Sequence, residues 1–160
     1  MITFNADEIF EIAEQMERNG AAFYRKAAEP AEGGNRDLLL RLAAMEDDHK
    51  ETFVSMRAEL TEADKRSITP DPGNQALLYL QAMAYGKVFS ADPSEGLTGA
   101  EPMEDILNTA IGLEKDSIVY YEGMKAVVPA TAGKEQVEGI IEQELGHIVD
   151  LTKQLEALKS

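Results

Sequence analysis

The sequence predicts an all-α chain: a four-helix bundle whose second and third helices are joined by a long crossover carrying a helix of its own. Three observations predict it. Four stretches repeat apolar residues at three- and four-residue spacing, the mark of an amphipathic helix. About forty residues separate the second stretch from the third, too many for a tight helix–helix turn. The chain's only two histidines sit in matching frames, Glu46-Asp47-Asp48-His49 and Glu144-Leu145-Gly146-His147. On a helix, that spacing puts carboxylate and imidazole on one face, about one turn apart.

The first helix is expected over about 7–29. Asn5 is its N-cap, and Glu8, three residues on, completes a capping box. Ile9, Ile12, Ala13, Met16, Gly20, Phe23, Tyr24 and Ala27 form the inward face, with Glu17 beside it. Pro30 and the Gly33-Gly34 pair end the helix. The second is expected over about 35–62, with Leu38, Leu39, Leu42, Met45, Phe53, Met56 and Leu60 inside. Glu46 and His49 interrupt that stripe at its middle, where leucines would otherwise stand. Asp47, Asp48, Lys50 and Glu51 fall on the outer arc.

The crossover, 63–101, is broken by Thr69-Pro70-Asp71-Pro72-Gly73-Asn74 and again by Ser90-Ala91-Asp92-Pro93. Between the breaks, 75–89 reads as a short apolar helix. The third bundle helix is expected over about 102–128, opening near Pro102 and stopped by Pro129. Its inner face is Ile106, Leu107, Ala110, Ile111, Glu114, Ser117, Ile118 and Tyr121. The fourth is expected over about 134–158, with Val137, Ile140, Ile141, Glu144, Leu145, His147, Ile148, Leu151 and Leu155 inside. The simplest organisation is one domain over 1–160.

The two halves repeat each other. Glu17 precedes Glu46 by 29 residues, and Glu114 precedes Glu144 by 30. Tyr24 and Tyr121 each follow the upstream glutamate by seven, nearly two turns, so each shares its glutamate's face. A lone Glu-x-x-His is common on helical surfaces as a weak side-chain pair. A lone buried histidine is more often a satisfied core residue than a ligand. Two such frames on inner faces, with matched upstream glutamates, are not accounted for in either way. Glu17, Glu46, His49, Glu114, Glu144 and His147 are the ligand set of a carboxylate-bridged two-metal centre inside a four-helix bundle. Without metal, several carboxylates would converge in an apolar core at a cost of several kcal/mol per unpaired ion. Tyr24 and Tyr121 are then candidates to hydrogen-bond a ligand carboxylate on a neighbouring helix; otherwise they are core aromatics bonded elsewhere.

Composition agrees with this chemistry and excludes others. Cysteine is absent, so disulfides, thiol catalysis, zinc ribbons and iron–sulfur centres are excluded within the chain. Every metal ligand must be oxygen or imidazole nitrogen, which favours iron, manganese or zinc over soft-metal sites. Fifteen Lys and Arg against thirty Asp and Glu leave a net charge of −15. That balance argues against nucleic acid and against an anionic membrane surface. No apolar run approaches the ~20 residues of a membrane span. The acidic N-terminus lacks the basic region of a signal peptide, so the expected location is cytoplasmic.

With these residues in hand, the chain resembles the ferritin-like superfamily, and within it the erythrin domain of the rubrerythrin family. The resemblance covers nearly the whole chain, including Glu17-Arg18-Asn19-Gly20-Ala21-Ala22-Phe23-Tyr24 in the first helix. It implies an antiparallel bundle with one crossover and two metal ions at its centre. It implies that Glu17 and Glu114 are terminal or bridging carboxylates, that Glu46 and Glu144 bridge, and that His49 and His147 each cap one metal. Rubrerythrins proper carry a further carboxylate one turn after the third-helix glutamate; here that position is Ser117, and its first-helix counterpart is Gly20. They also carry a cysteine-ligated rubredoxin domain, which this chain lacks.

The leading expectation is a di-iron protein acting on peroxide or dioxygen, by peroxide reduction or ferroxidase chemistry, with electrons from a separate donor. The alternative is a redox-inert protein that binds or sequesters zinc or iron. A third reading is a partner module, for which 75–89 would expose a large apolar surface. A homodimer is the expected oligomer. The helix glycines Gly20, Gly112, Gly123, Gly139 and Gly146 suit close backbone packing, or, at Gly20 with Ser117, room beside the metals for a small oxidant.

Overall fold

The structure, a computed structural model, describes residues 4–69, 72–88 and 92–160, with the backbone alone at residue 87. Four long helices make the bundle: α1 (Ala6–Ala28), α2 (Gly33–Glu59), α5 (Met103–Val127) and α6 (Lys134–Ala157). Between α2 and α5 the crossover carries α3 (Glu62–Arg66), α4 (Gln75–Met83), a π-helical turn (Ala84–Val88) and a 3₁₀ turn (Pro93–Gly96). No strand occurs among the described residues.

The cap expected at the start of α1 is present. The Glu8 amide donates to Asn5 Oδ1 at 2.9 Å, and the Asn5 amide donates to Glu8 Oε2 at 3.0 Å. Two of the orphan amides at this helix end are thereby satisfied. Asn5→Ala should cost about 1 kcal/mol and lower Tm by about 2–4 °C, read by thermal denaturation followed by circular dichroism. An unchanged Tm would show that Asp7 and Glu8 suffice at that end.

The apolar faces meet in two clusters. One gathers Ile9 and Phe10 of α1, Phe53 and Met56 of α2, Tyr120 and Val127 of α5, and Val137 and Ile140 of α6. The other gathers Phe23 and Ala27, Leu38 and Leu42, Ile106 and Leu107, and Leu151. The start of α1 thus lies with the end of α2, the end of α5 and the start of α6. This makes α1 antiparallel to α2 and α5, and α6 antiparallel to α5 and α2. The crossover joins the first cluster through Leu80 and Met83, and reaches the second through Leu97. It therefore runs the length of the bundle. In sequence, Glu17, Glu46, His49, Glu114, Glu144 and His147 fall between the residues of the two clusters.

Several expectations need correction. The second helix begins at Gly33, two residues before the expected Asn35, and ends at Glu59, three before Glu62. Leu60 turns extended at ψ 131° and buries its side chain. Thr61 then caps a short helix by accepting from the Asp64 amide at 3.1 Å, so Glu62–Arg66 is a helix where irregular crossover was expected from 63. The crossover helix is α-helical only to Met83 before widening into the π turn, and Phe89 lies outside the described residues, as do Pro70, Asp71, Ser90 and Ala91. Pro102 caps α5 rather than opening its first turn.

Leu145, expected in the core, is 51% exposed. Glu144 and His147 both face inward, and at 100° per residue Leu145 then points away from the line between them. Tyr120, not expected inside, is fully buried and donates its hydroxyl to the Ile9 carbonyl at 3.0 Å. Close packing explains Gly123, where a Cβ would sit 3.2 Å from Leu80 Cδ2, but not Gly112, Gly139 or Gly146, which have nothing within 4 Å of such an atom. The crossover helix buries Leu80 and Met83 and exposes Leu78 and Tyr85. Among the described residues, no helix is long and apolar enough to cross a membrane.

Candidate metal centre

The six residues picked from the sequence come together at mid-bundle, and none is more than 4% exposed. Each bundle helix supplies its share: Glu17 from α1, Glu46 and His49 from α2, Glu114 from α5, and Glu144 and His147 from α6. They form two overlapping groups, Glu17, Glu46, His49 and Glu144 in one, and Glu46, Glu114, Glu144 and His147 in the other. Within each group one donor atom per residue lies within 4.8 Å of the others. Glu46 and Glu144 belong to both.

Both imidazoles turn Nδ1 toward the carboxylates. His49 Nδ1 lies 3.0 Å from Glu144 Oε1 and 3.5 Å from Glu17 Oε2. His147 Nδ1 lies 3.1 Å from Glu144 Oε2, 3.2 Å from Glu46 Oε1 and 3.4 Å from Glu114 Oε1. The rings stack with centroids 5.6 Å apart and planes 17° from parallel. The repeat in sequence is thus a two-fold arrangement in space.

The tyrosines complete it by crossing over. Tyr24 donates its hydroxyl to Glu114 Oε1, and Tyr121 donates to Glu17 Oε1. Each half's phenol therefore holds the other half's upstream glutamate. Burial, reinforced by the nearby carboxylates, raises both phenols well above their ordinary range, so each stays a donor.

Burial raises the carboxyls of Glu17 and Glu114, with Glu46 adding to the first and Glu144 to the second. Burial also opposes the charge on Glu144, but Glu114, His147 and His49 around it outweigh that and hold it below the usual range. For His147, burial disfavours the cation, yet Glu114, Glu144 and Glu46 push it up to about 12. His49 is raised too, mainly by Glu144, against the same desolvation. Crowded together, the carboxylates and imidazoles thus favour protons on Glu17, Glu114, His49 and His147.

That compensation is incomplete. Among the described residues, the buried side-chain atoms without a hydrogen-bond partner are Glu17 Oε2, Glu46 Oε1, both Glu144 oxygens, both His147 nitrogens and His49 Nδ1. All belong to this cluster. Buried polar atoms are normally satisfied; six of these seven face one another across the imidazole–carboxylate contacts above without making a hydrogen bond, and donors gathered in that way suit a cation held among them. Four carboxylates and two imidazoles fit a pair of divalent ions, with hard oxygen and borderline nitrogen donors suited to iron, manganese or zinc.

Beside Glu46 and Glu114 lies a cavity of about 70 Å³, lined also by Gly20, Ser117, Met16 and Met83. A Cβ at position 20 would stand 3.4 Å from Glu46 Oε2. Gly20 and Ser117 thus leave room next to the cluster, at the two positions where a further carboxylate was missing. The sequence reading overlooked Gln143, whose Oε1 lies 2.9 Å from His49 Nε2. Its place just before Glu144 was a cue only in hindsight, because the repeat puts Met45 at the equivalent position.

No protein-family model matches the chain, and no curated protein matches it in sequence. A crystal structure from Thermotoga maritima, described as a ferritin-like diiron-carboxylate protein, is similar to it with a TM-score of 0.73. The match covers 96% of this chain and 95% of that one at 23% identity. At that identity the likeness is one of fold: the chain has the ferritin-like helical bundle, with a buried Glu/His cluster that can bind metal at its centre.

Proposed function

We propose that the chain is a di-iron carboxylate protein that reacts with peroxide or dioxygen, by rubrerythrin-like peroxide reduction or ferroxidase chemistry. The observation that carries this is the set of orphaned donors, all in one two-fold cluster with two shared glutamates. The diiron-carboxylate description of the Thermotoga maritima protein of like fold supports the same metal. A bound iron pair supplies the electrons for O–O cleavage and stabilises the charge that develops.

The chain's own residues do the rest. Glu46 and Glu144 are placed to be shared by both ions, while Glu17 and Glu114 are each oriented by a tyrosine from the other half. The two apolar clusters exclude bulk water from the centre. The cavity beside Glu46 and Glu114, of about 70 Å³, has room for a molecule as small as dioxygen or peroxide. Peroxide reduction consumes two electrons and two protons per molecule and yields two waters. These 160 residues hold no cysteine-ligated centre, so those electrons reach the bundle from outside it.

A second reading, a redox-inert zinc- or iron-binding protein, is favoured by Ser117 and Gly20 in place of the extra carboxylate. One experiment separates them: reduced, iron-loaded protein is mixed with one equivalent of hydrogen peroxide and followed by absorbance. Oxidation of about two irons per peroxide is expected. Iron that stays ferrous under peroxide and under air would leave only the binding role.

A further inference from the structure

The cluster is two-fold in its donors but not in what holds its histidines. His49 presents Nδ1 to the carboxylates, and its Nε2 lies 2.9 Å from Gln143 Oε1. With Nδ1 as the ligand nitrogen, Nε2 carries the proton and donates it to the amide oxygen. That bond fixes both the tautomer and the plane of the ring. His147 presents Nδ1 in the same way, but its Nε2 is buried without a hydrogen-bond partner. The repeat shows why. The residue preceding the shared glutamate is Gln143 in α6 and Met45 in α2. A thioether is at best a weak acceptor, so the position equivalent to Gln143 offers His147 nothing comparable.

We infer that Gln143 is a positioning residue that makes the two ion positions unequal, so that a divalent cation fills the His49 position first and the His147 position more weakly. The inference rests on the proposed two-ion reading of the cluster. An outer hydrogen-bond partner of a ligating histidine is worth about 10- to 100-fold in metal affinity, which sets the expected gap. Repulsion between two ions sharing Glu46 and Glu144 would also separate two binding steps, but it would not choose which histidine is taken first. The choice is the signature of Gln143.

The test uses the full chain, labelled with ¹⁵N and titrated with Zn²⁺ alone. Two histidines in the whole sequence mean that the imidazole spectrum holds two ring systems, assigned from the spectrum of His147→Gln. At one equivalent, the His49 nitrogens are expected to shift while those of His147 stay, and the second equivalent then moves His147. Gln143→Leu, at an exposed position where the fold does not depend on it, should abolish the order and weaken the first ion by about 10- to 100-fold. Met45→Gln should instead strengthen the second ion. Both rings responding together in the native chain, His147 responding first, or an order unchanged in Gln143→Leu would each overturn the inference while leaving the two-ion reading intact. No shift at either ring with excess Zn²⁺ would overturn both.

Discussion

Metal-free protein given a saturating divalent cation should melt about 10 °C or more above its chelated form, and the gap should widen from pH 5.5 to pH 8. The size follows from linkage. An ion at about one hundred times its Kd adds about 2.7 kcal/mol per site, or about 5 kcal/mol for two. In a chain of this length each kcal/mol moves Tm by about 2–4 °C.

The pH trend follows from the raised groups. In the metal-free fold, Glu17 and Glu114 hold protons above the 4.5 at which they would ordinarily be lost. His147, pushed up to about 12, holds one above its ordinary 6.5, and His49 is raised in the same sense. The folded state therefore binds more protons than the unfolded one in this window, and metal-free stability falls as pH rises. Glu144, held low, adds nothing to that trend, because it is ionised in both states above its ordinary 4.5. Ions compete with those protons, so the loaded form gains with pH. Calorimetry of chelated and Mn²⁺-loaded protein at the two pH values checks both parts. Equal melting temperatures, or a gap that narrows with pH, would contradict the reading.

The second large effect separates shared from unshared ligands. Glu46 and Glu144 belong to both donor groups, whereas His49 and His147 each belong to one. Glu46→Gln or Glu144→Gln should therefore weaken both ions, by at least about 100-fold, since a ligand counts for more than its outer partner. Metal retained after desalting should drop from two ions per chain to none. His49→Ala or His147→Ala should each leave one. Elemental analysis, with circular dichroism to show that the helices persist, reads the difference. Two ions per chain in all four variants would remove this cluster as the site, whatever the fold.

Read from the residues alone, the chain disclosed its four bundle helices, the long crossover, the Asn5 cap and the six clustered residues. These are local signals: a capping box closes within three residues, and helical periodicity places a face without reference to a partner. The tyrosines were marked by spacing, although which glutamate each would meet was not. A resemblance could suggest rubrerythrin, but at this identity the structural match speaks for the fold and not for that family.

Local signals thus placed the helices and put the six clustered residues on their inner faces, because φ/ψ preferences and the 3.6-residue repeat act over a few residues. Tertiary structure alone decided the rest. It crossed Tyr24 to Glu114 and Tyr121 to Glu17, and set Gln143 beside His49 while leaving His147 Nε2 unpartnered. It also buried the Tyr120 hydroxyl against the Ile9 carbonyl. Those outcomes depend on which residues about one hundred positions apart arrive in the same place, and only packing four helices around one buried cluster settles that.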